Sequence, residues 1–373
     1  MTSTSTSKIA LDAMGGDRAP AVEVEGAVAA AREGGVEVLL VGKRDGIERE
    51  LRRCGVTVRD GRAVELPLHV VHAGEVITMD DAPAQAVRRK RDASMRVAAD
   101  LVARGEASAL VSAGNSGAMV ACGLFVLRRL KGVDRPGILT TFPTRTGEAV
   151  LIDMGANVEC KPLHLCQYAV MGACYSKNVV GTWRPRVGLL ANASEVHKGT
   201  ELTRETHRAL SAATNLGFHY AGYIEGRDVF SGKVDVVVCD GFSGNLVLKI
   251  SEGVAETMIA IVKDVVTSTT LGKILALPLL PTLRKLKRRV DYAEWGGAPL
   301  LGLRGAAIIC HGGSNAKAIK NALLGAERFA SRDLIGSLQR ALADHEALFE
   351  TARAEGPRLT REGDEVAATS APA

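Results

Sequence analysis

Aromatic side chains are scarce in this sequence: Phe, Tyr and Trp make up 4% of it, while the whole is 46% hydrophobic and carries 40 glycines. That mixture suits close packing of helices on a sheet and argues against an all-β sandwich built on aromatic corners. No CxxC pair occurs, and the seven cysteines, Cys54, Cys122, Cys160, Cys166, Cys174, Cys239 and Cys310, are odd in number. Neither a disulfide framework nor a zinc ribbon fits. Cys160, His164 and Cys166 lie close together but lack a fourth ligand, so no metal is assigned. The fingerprints GxGxxG, GxxxxGK[ST] and GxSxG are missing too, which removes the usual support for dinucleotide, Walker-type and hydrolase readings. The net charge is only +5 and the basic residues are not interleaved with aromatics, so nucleic acid is not read as a partner. The amino terminus has no basic region followed by a long apolar run, which predicts a short polar tail and a cytoplasmic location.

Short apolar runs are present in number, and they alternate with helical periodicity. KIALDA, VEVLLVG, LPLHVVHA, ASALVSAG, EAVLIDMG, RPRVGLLA, VDVVVCDG and AAIIC read as strands separated by helices. Repeated strand, loop and helix units predict an α/β protein whose mainly parallel sheet is covered on both faces. One unit is expected over 7–350, with flexible tails at 1–6 and 355–373. The strands end in glycine and short polar residues, and ligands bind at such carboxyl ends, where backbone N–H groups approach anions. Four loops fit: DAMGGD from Asp12, with Gly15 and Gly16; SAGNSGAM, with Asn115 and Ser116; DMGAN, from Asp153 to Asn157; and DGFSGN, from Asp240 through Ser243 to Asn245. One such loop is an ordinary turn. Four predict a shared site for an anionic small molecule.

The segments KIALDAMGGDRAP, MDDAPAQAVRRKRDASM, SAGNSGAM, DMGANVEC, YIEGRDVFSGKVDVVVCDGFSGNLVLK, WGGAPLLG and HGGSNAKAIKNAL resemble, in order from Lys8 to about Leu323, the phosphate acyltransferases of bacterial phospholipid synthesis. The resemblance implies transfer of a long-chain acyl group from acyl-acyl carrier protein to inorganic phosphate, with no cofactor. It also implies a three-layer α/β/α fold similar to phosphotransacetylases and isocitrate dehydrogenases, a homodimer, and peripheral contact with the inner face of the cell membrane. Competing readings are a coenzyme-A-dependent phosphotransacetylase, a nicotinamide-dependent dehydrogenase and a non-catalytic membrane adaptor for the carrier. One segment departs from the family: LLANASEVHKG, from Leu189 to Gly199, stands where a stretch like LLNIGEExxKG is usual.

Asn115 and Ser116 open a helix where N–H groups can meet phosphate. Asp240 and Asn245 look like the phosphotransacetylase segment that carries a catalytic aspartate, and His311 can donate to a leaving sulfur. Arg227 offers a guanidinium for phosphate that Asp228 can hold in place. Lys249, Asp153 and Asn157 complete the lining, and Arg88, Arg89, Lys90 and Lys198 offer positive charge to an acidic carrier. In LGKILALPLLPTLRKLKRRV, from Leu271 to Val290, two prolines and a basic run interrupt the apolar stretch, so a membrane span, which needs ~20 apolar residues, is rejected. An amphipathic helical hairpin over 253–292 is predicted instead, lying on an anionic bilayer, where its leucines enter the interface and its cations meet lipid charge. Leu275→Glu together with Leu279→Glu should therefore abolish sedimentation with anionic liposomes, and undiminished binding by that variant would refute the hairpin's role.

Overall fold

The computed structural model describes residues 7–268 and 296–354. The predicted hairpin tip, Leu271 to Val290, and both predicted tails lie outside the described residues. The strands are β1 (Lys8–Asp12), β2 (Glu37–Gly42), β3 (Val58–Arg59), β4 (Arg62–Ala63), β5 (Leu68–His72), β6 (Ala109–Ser112), β7 (Gly137–Pro143), β8 (Glu148–Ile152), β9 (Arg186–Leu190), β10 (His219–Ile224), β11 (Val236–Val238), β12 (Ala298–Leu301) and β13 (Ala306–Ile309). They form one sheet in the order β10-β9-β11-β8-β7-β12-β13-β6-β1-β2-β5-β4-β3.

Two parallel arms make up most of that sheet. In one, β13, β6, β1, β2 and β5 run the same way; in the other, β8, β11, β9 and β10 do. Between them β7 pairs antiparallel with β8 and with β12, and β12 pairs antiparallel with β13. Three antiparallel steps reverse the direction, so the two arms run opposite ways. Eight strands match the apolar runs of the sequence; β7, β10, β12 and the two-residue β3 and β4 do not. The miss at β12 has a cause in Pro299, which has no N–H to give a central strand. Its pairing is staggered to suit: Ala298 and Pro299 face β13, and only Leu300 and Leu301 face β7.

Side-chain alternation gives each strand two buried faces. Ile9, Leu11, Val38, Leu40, Val111, Ile308, Val150, Ile152, Val236 and Val238 share one apolar cluster, which spans both arms and takes in helices Ala21–Gly34, Pro162–Tyr175 and Ala316–Ser331. On the opposite face the core is divided. Ala10, Leu39, Val41, Leu110 and Ile309 pack with helices Pro83–Arg89, Ser94–Ala103 and Ser116–Cys122, while Leu151 and Val237 belong to a smaller cluster with Ile224, Val229 and Cys239. Met154 touches both. Helices therefore cover both faces, as an α/β/α fold requires.

Helix Gly241–Thr267 is the exception to this burial. Of its residues only Gly241 and Gly244 are buried, and Phe242, Leu246, Ile250, Val254, Met258, Ile261 and Val265 form an exposed apolar row at helical spacing. On the continuous face, helices Ala21–Gly34 and Ala316–Ser331 cross at Gly26, where a Cβ would lie 2.6 Å from Ile319 Cβ and 2.9 Å from the Ala316 carbonyl oxygen. A backbone oxygen cannot swing aside. Gly26→Val should cost about 1–3 kcal/mol of stability through this overlap, read as a lowered urea midpoint; an unchanged midpoint would mean that the two helices separate freely.

Candidate active site

The predicted loops do meet, in two groups. The first gathers at the carboxyl ends of β1, β6 and β13, with β1 and β6 flanking the point where the chain order of that arm reverses. Asp12 and Ser112 are register neighbours, and the buried Ser112 hydroxyl donates to Asp12 Oδ2 at 2.7 Å. Gly15 lies so close to the second loop that a Cβ on it would come 2.7 Å from Gly114 N. Asp17 N donates to the Gly312 carbonyl at 3.0 Å, which brings in His311, and Arg18 Nη2 donates to the Ser314 carbonyl at 3.2 Å. The His311 side chain turns back on its own loop, its Nδ1 accepting from Gly313 N at 3.1 Å.

Asn115 is the helix N-cap of Ser116–Cys122: Oδ1 accepts from Ala118 N at 3.1 Å, and Nδ2 donates to the carbonyls of Thr78 and Met79, each at 3.3 Å. Both ends of its amide are thus engaged, so Asn115 shapes the loop. The next N–H groups, on the exposed Ser116 and Gly117, are the donors available to an anion. Asn315 repeats the device, accepting from Ala318 N at 2.9 Å.

The second group stands at the carboxyl ends of β8 and β11. Asp153, fully buried, accepts at Oδ1 from Ile138 N, Gly155 N and Ala156 N at 2.9–3.1 Å, and at Oδ2 from Asn157 N at 2.7 Å. Burial pushes its pKa up, while those backbone donors pull it down. Asn157 Nδ2 donates to the Pro136 carbonyl at 2.7 Å and to Tyr168 OH at 2.8 Å. Asp153 and Asn157 thus hold the loop's shape. Asp240 caps helix Gly241–Thr267, with Oδ1 accepting from Ser243 N at 2.8 Å and Oδ2 from Ser243 Oγ at 3.0 Å. A carboxylate has about four lone-pair sites, so capping leaves acceptor capacity on Asp240. Asn245, exposed, stands over Gly155. Cys239, beside this group, is fully buried against the Asp153 carbonyl, and burial pushes its thiol pKa far up, so it stays protonated. The two groups share a floor: Met154 and Ala156 pack on the cluster that contains Ala118 and Met119.

Other predicted residues lie apart from both groups. Lys249, farther along the same helix, pairs with Glu252 at 3.0 Å. Arg227 and Asp228 follow the edge strand β10 and do not pair with each other: Asp228 binds Lys233 at 2.7 Å, which holds its pKa down, and Arg227 binds Glu225 at 3.1 Å. The expectation that Asp228 holds Arg227 is corrected accordingly, because Lys233 reaches the same carboxylate. Lys198 pairs with Glu195 at 2.8 Å, in the segment that departs from the family. Lys90 is a loop clasp, donating to Asp81 Oδ2 at 2.6 Å and to the Val76 carbonyl at 3.0 Å. His164, raised above as a metal ligand, binds Asp134 at 2.6 Å. Among the described residues no group of three or more His, Cys, Asp or Glu is placed to hold a metal ion.

Sequence reasoning passed over Ser112, Arg18, Asn315 and Glu23. The first three lie inside quoted motifs, and Asn before Ala-Lys-Ala is a legible cap. Glu23 is different. It is 1% exposed in the first turn of helix Ala21–Gly34, with Oε1 against Gly16 and Oε2 without a hydrogen-bond partner. Burial, with the Asp12 charge adding to it, pushes its pKa up to about 7.

Known proteins resemble this chain in sequence and in fold. A family profile described as "Fatty acid synthesis protein" matches residues 7–336. A phosphate acyltransferase of Geobacter sulfurreducens is 54% identical over 316 residues, covering 85% of this chain and 88% of its own. That of Geotalea uraniireducens is 51% identical over 342 residues, covering 92% and 96%. Among solved structures, a phosphotransacetylase from Staphylococcus aureus superposes with a TM-score of 0.55 at 16% identity, covering 87% of this chain and 94% of its own. One from Streptococcus pyogenes gives 0.55 at 18% identity, covering 86% and 93%. The structural likeness is one of fold.

Glu23 supplies a test of the first loop group. Between the ordinary value of 4.5 and about 7, the folded chain keeps a proton that the unfolded chain has released, so stability falls as pH rises through that window. Glu23→Gln cannot ionise and should flatten the profile, gaining roughly 3 kcal/mol on wild type between about pH 4.5 and pH 8 in urea unfolding. Parallel profiles for the two proteins would refute the buried, unpaired state.

Proposed function

The chain belongs to the phosphate acyltransferase family and is an acyltransferase, and from that premise we propose that it moves a long-chain acyl group from the acidic acyl-acyl carrier protein to inorganic phosphate, releasing acyl phosphate for phospholipid synthesis. The observation that carries this reading is the pair of capped strand-to-helix loops at Asn115 and Asp240, which flank one apolar floor. Phosphate takes the N–H groups of Ser116 and Gly117, with Arg18 supplying charge. A phosphate oxygen attacks the thioester carbonyl carbon, the tetrahedral oxyanion collapses, the C–S bond breaks, and the proton of hydrogen phosphate ends on the carrier thiol. Asp240 or His311 passes that proton, and Asn245 steadies the acyl end. Because phosphate is already an anionic nucleophile, no covalent enzyme intermediate is needed; positioning and fixed donors carry the rate, each oxyanion donor being worth ~2.7–4 kcal/mol.

The exposed apolar row of helix Gly241–Thr267 supports two further parts of the proposal, a homodimer and peripheral contact with the inner membrane face through 271–290. Among the described residues no helix is long and apolar enough to cross a membrane. The decisive experiment incubates the purified chain with long-chain acyl-acyl carrier protein and phosphate and follows acyl phosphate and free carrier thiol. Strong activity with acetyl-coenzyme A instead would favour a phosphotransacetylase. Asn115→Ala, which loosens the loop, and Asp240→Ala should each lower turnover about tenfold or more, equivalent to roughly 1.4 kcal/mol of barrier, with far-ultraviolet dichroism unchanged; normal turnover in both would remove these loops from the reaction.

A further inference from the structure

Two basic clusters, far apart in sequence, become one surface in the fold. Helix Pro83–Arg89 runs beside helix Ser116–Cys122, which continues as a π-helical turn, Gly123–Leu127. The two start together, since a Cβ on Gly117 would lie 2.8 Å from Pro83 Cγ, and they end together, since the Arg88 guanidinium sits 4.5 Å from the centre of the Phe125 ring. Phe125 in turn lines an open recess of about 630 Å³ whose floor is apolar, from Leu124, Leu130 and Val133, and whose wall carries Arg128, Arg129, Lys131 and Arg304.

The charge of this recess is mostly uncompensated. Arg129 is held by Asp134, and Arg304 Nε donates to the Arg129 carbonyl at 3.1 Å. Among the described residues neither Arg128 nor Lys131 has a carboxylate partner, and both are exposed. Helix C-termini attract cations, which accounts for Arg88 and Arg89. It does not account for Lys131 and Arg304, which stand on no helix. An acidic protein partner with a small apolar patch complements the charge of the recess and its exposed Phe125.

Position adds the functional link. Arg128 ends the helical run that Asn115 opens, so the recess lies about 18 Å along that run from the loop assigned to phosphate. A donor docked there reaches the loop only if its acyl thioester is carried on an extended arm. Resting on the reading that the acyl group arrives on an acidic carrier, we infer that the recess walled by Arg128, Arg129, Lys131 and Arg304, with Arg88 stacked at its rim, is the docking site for the acyl carrier protein. Lys90, clasped to Asp81, takes no part, and Arg89 lies outside the recess.

The test reads binding apart from turnover. Fluorescence anisotropy with labelled long-chain acyl-acyl carrier protein compares wild type, Arg128→Glu with Lys131→Glu, and a control of equal charge change on the far hairpin, Arg59→Glu with Arg62→Glu. At low salt the recess variant should lose about tenfold or more in affinity and the control about twofold or less. Affinity within about twofold of wild type in the recess variant, or equal losses in both variants, would overturn the assignment. So would retained carrier affinity together with lost sedimentation on anionic vesicles, which would hand the recess to a membrane surface. Should the double variant not fold, the neutral variants Lys131→Gln and Arg304→Gln should each still show a shallower salt dependence of carrier binding, and an unchanged slope in both would overturn it. A chain that binds the carrier here yet releases no acyl phosphate would fail the proposed reaction and keep this site. Acyl phosphate formed with no loss of carrier affinity in the recess variant would fail this site and keep the reaction.

Discussion

The Asp153 carboxylate is the point on which the second half of the site depends. It sits at the end of β8, fully buried, and gathers N–H groups from its own loop and from Ile138 of the antiparallel neighbour β7. Such a group removed from water is tolerable only when its acceptor positions are filled, so its burial and the shape of the loop require each other. From there the constraint passes outward. The Asn157 carbonyl accepts from Gly241 N at 2.8 Å, which places Asp240 and the start of its helix, and Gly244 is so tight against the Asp153 carbonyl that no side chain fits. Asp153 is therefore a builder of the site, and Asp240 is what it builds.

The first group of loops obeys a related rule with one difference. Asp12 also lies buried at a strand end, but it is served by one hydroxyl and by Met14 N, and burial raises its pKa. Glu23 beneath the same loop has one carboxyl oxygen without a partner. Two under-supplied carboxyl groups lie next to the candidate phosphate site, while the well-supplied Asp153 lies beside the candidate thiol end. The two ends of the site thus differ in how fully their buried carboxyls are supplied with donors, although their loops look alike in sequence.

Caps explain why the likeness was legible. Asn115, Asp240 and Asn315 each open a helix that follows a strand, and the need of a first helical turn for a side-chain acceptor is local chemistry. Asn115 holds its loop for that reason, with both ends of its amide engaged, and the N–H groups beside it remain for a ligand, whereas Asp240 keeps acceptor capacity beyond its cap. Partner choice among charged residues was not legible. Asp228 takes Lys233 and leaves Arg227 to Glu225, and Lys90 leaves the predicted docking cluster for Asp81, since long side chains settle on whichever carboxylate the folded backbone brings within reach.

By itself the sequence determined the α/β class, the parallel strands with their apolar runs, the loops that end them and the family to which they belong. These follow from periodicity, turn chemistry and helix capping, which act over a few residues. Only the tertiary structure decided the reversal between the arms, because the antiparallel pairing of β7 and β12 is set by their neighbours, and β12, with Pro299, carries a weak strand signal of its own. It likewise decided that the loops fall into two groups on one floor, that Glu23 is buried in a first helical turn where a charged residue reads as exposed, and that Arg88 meets Phe125. Each of these rests on contacts between distant segments, and such contacts exist only once the chain has packed.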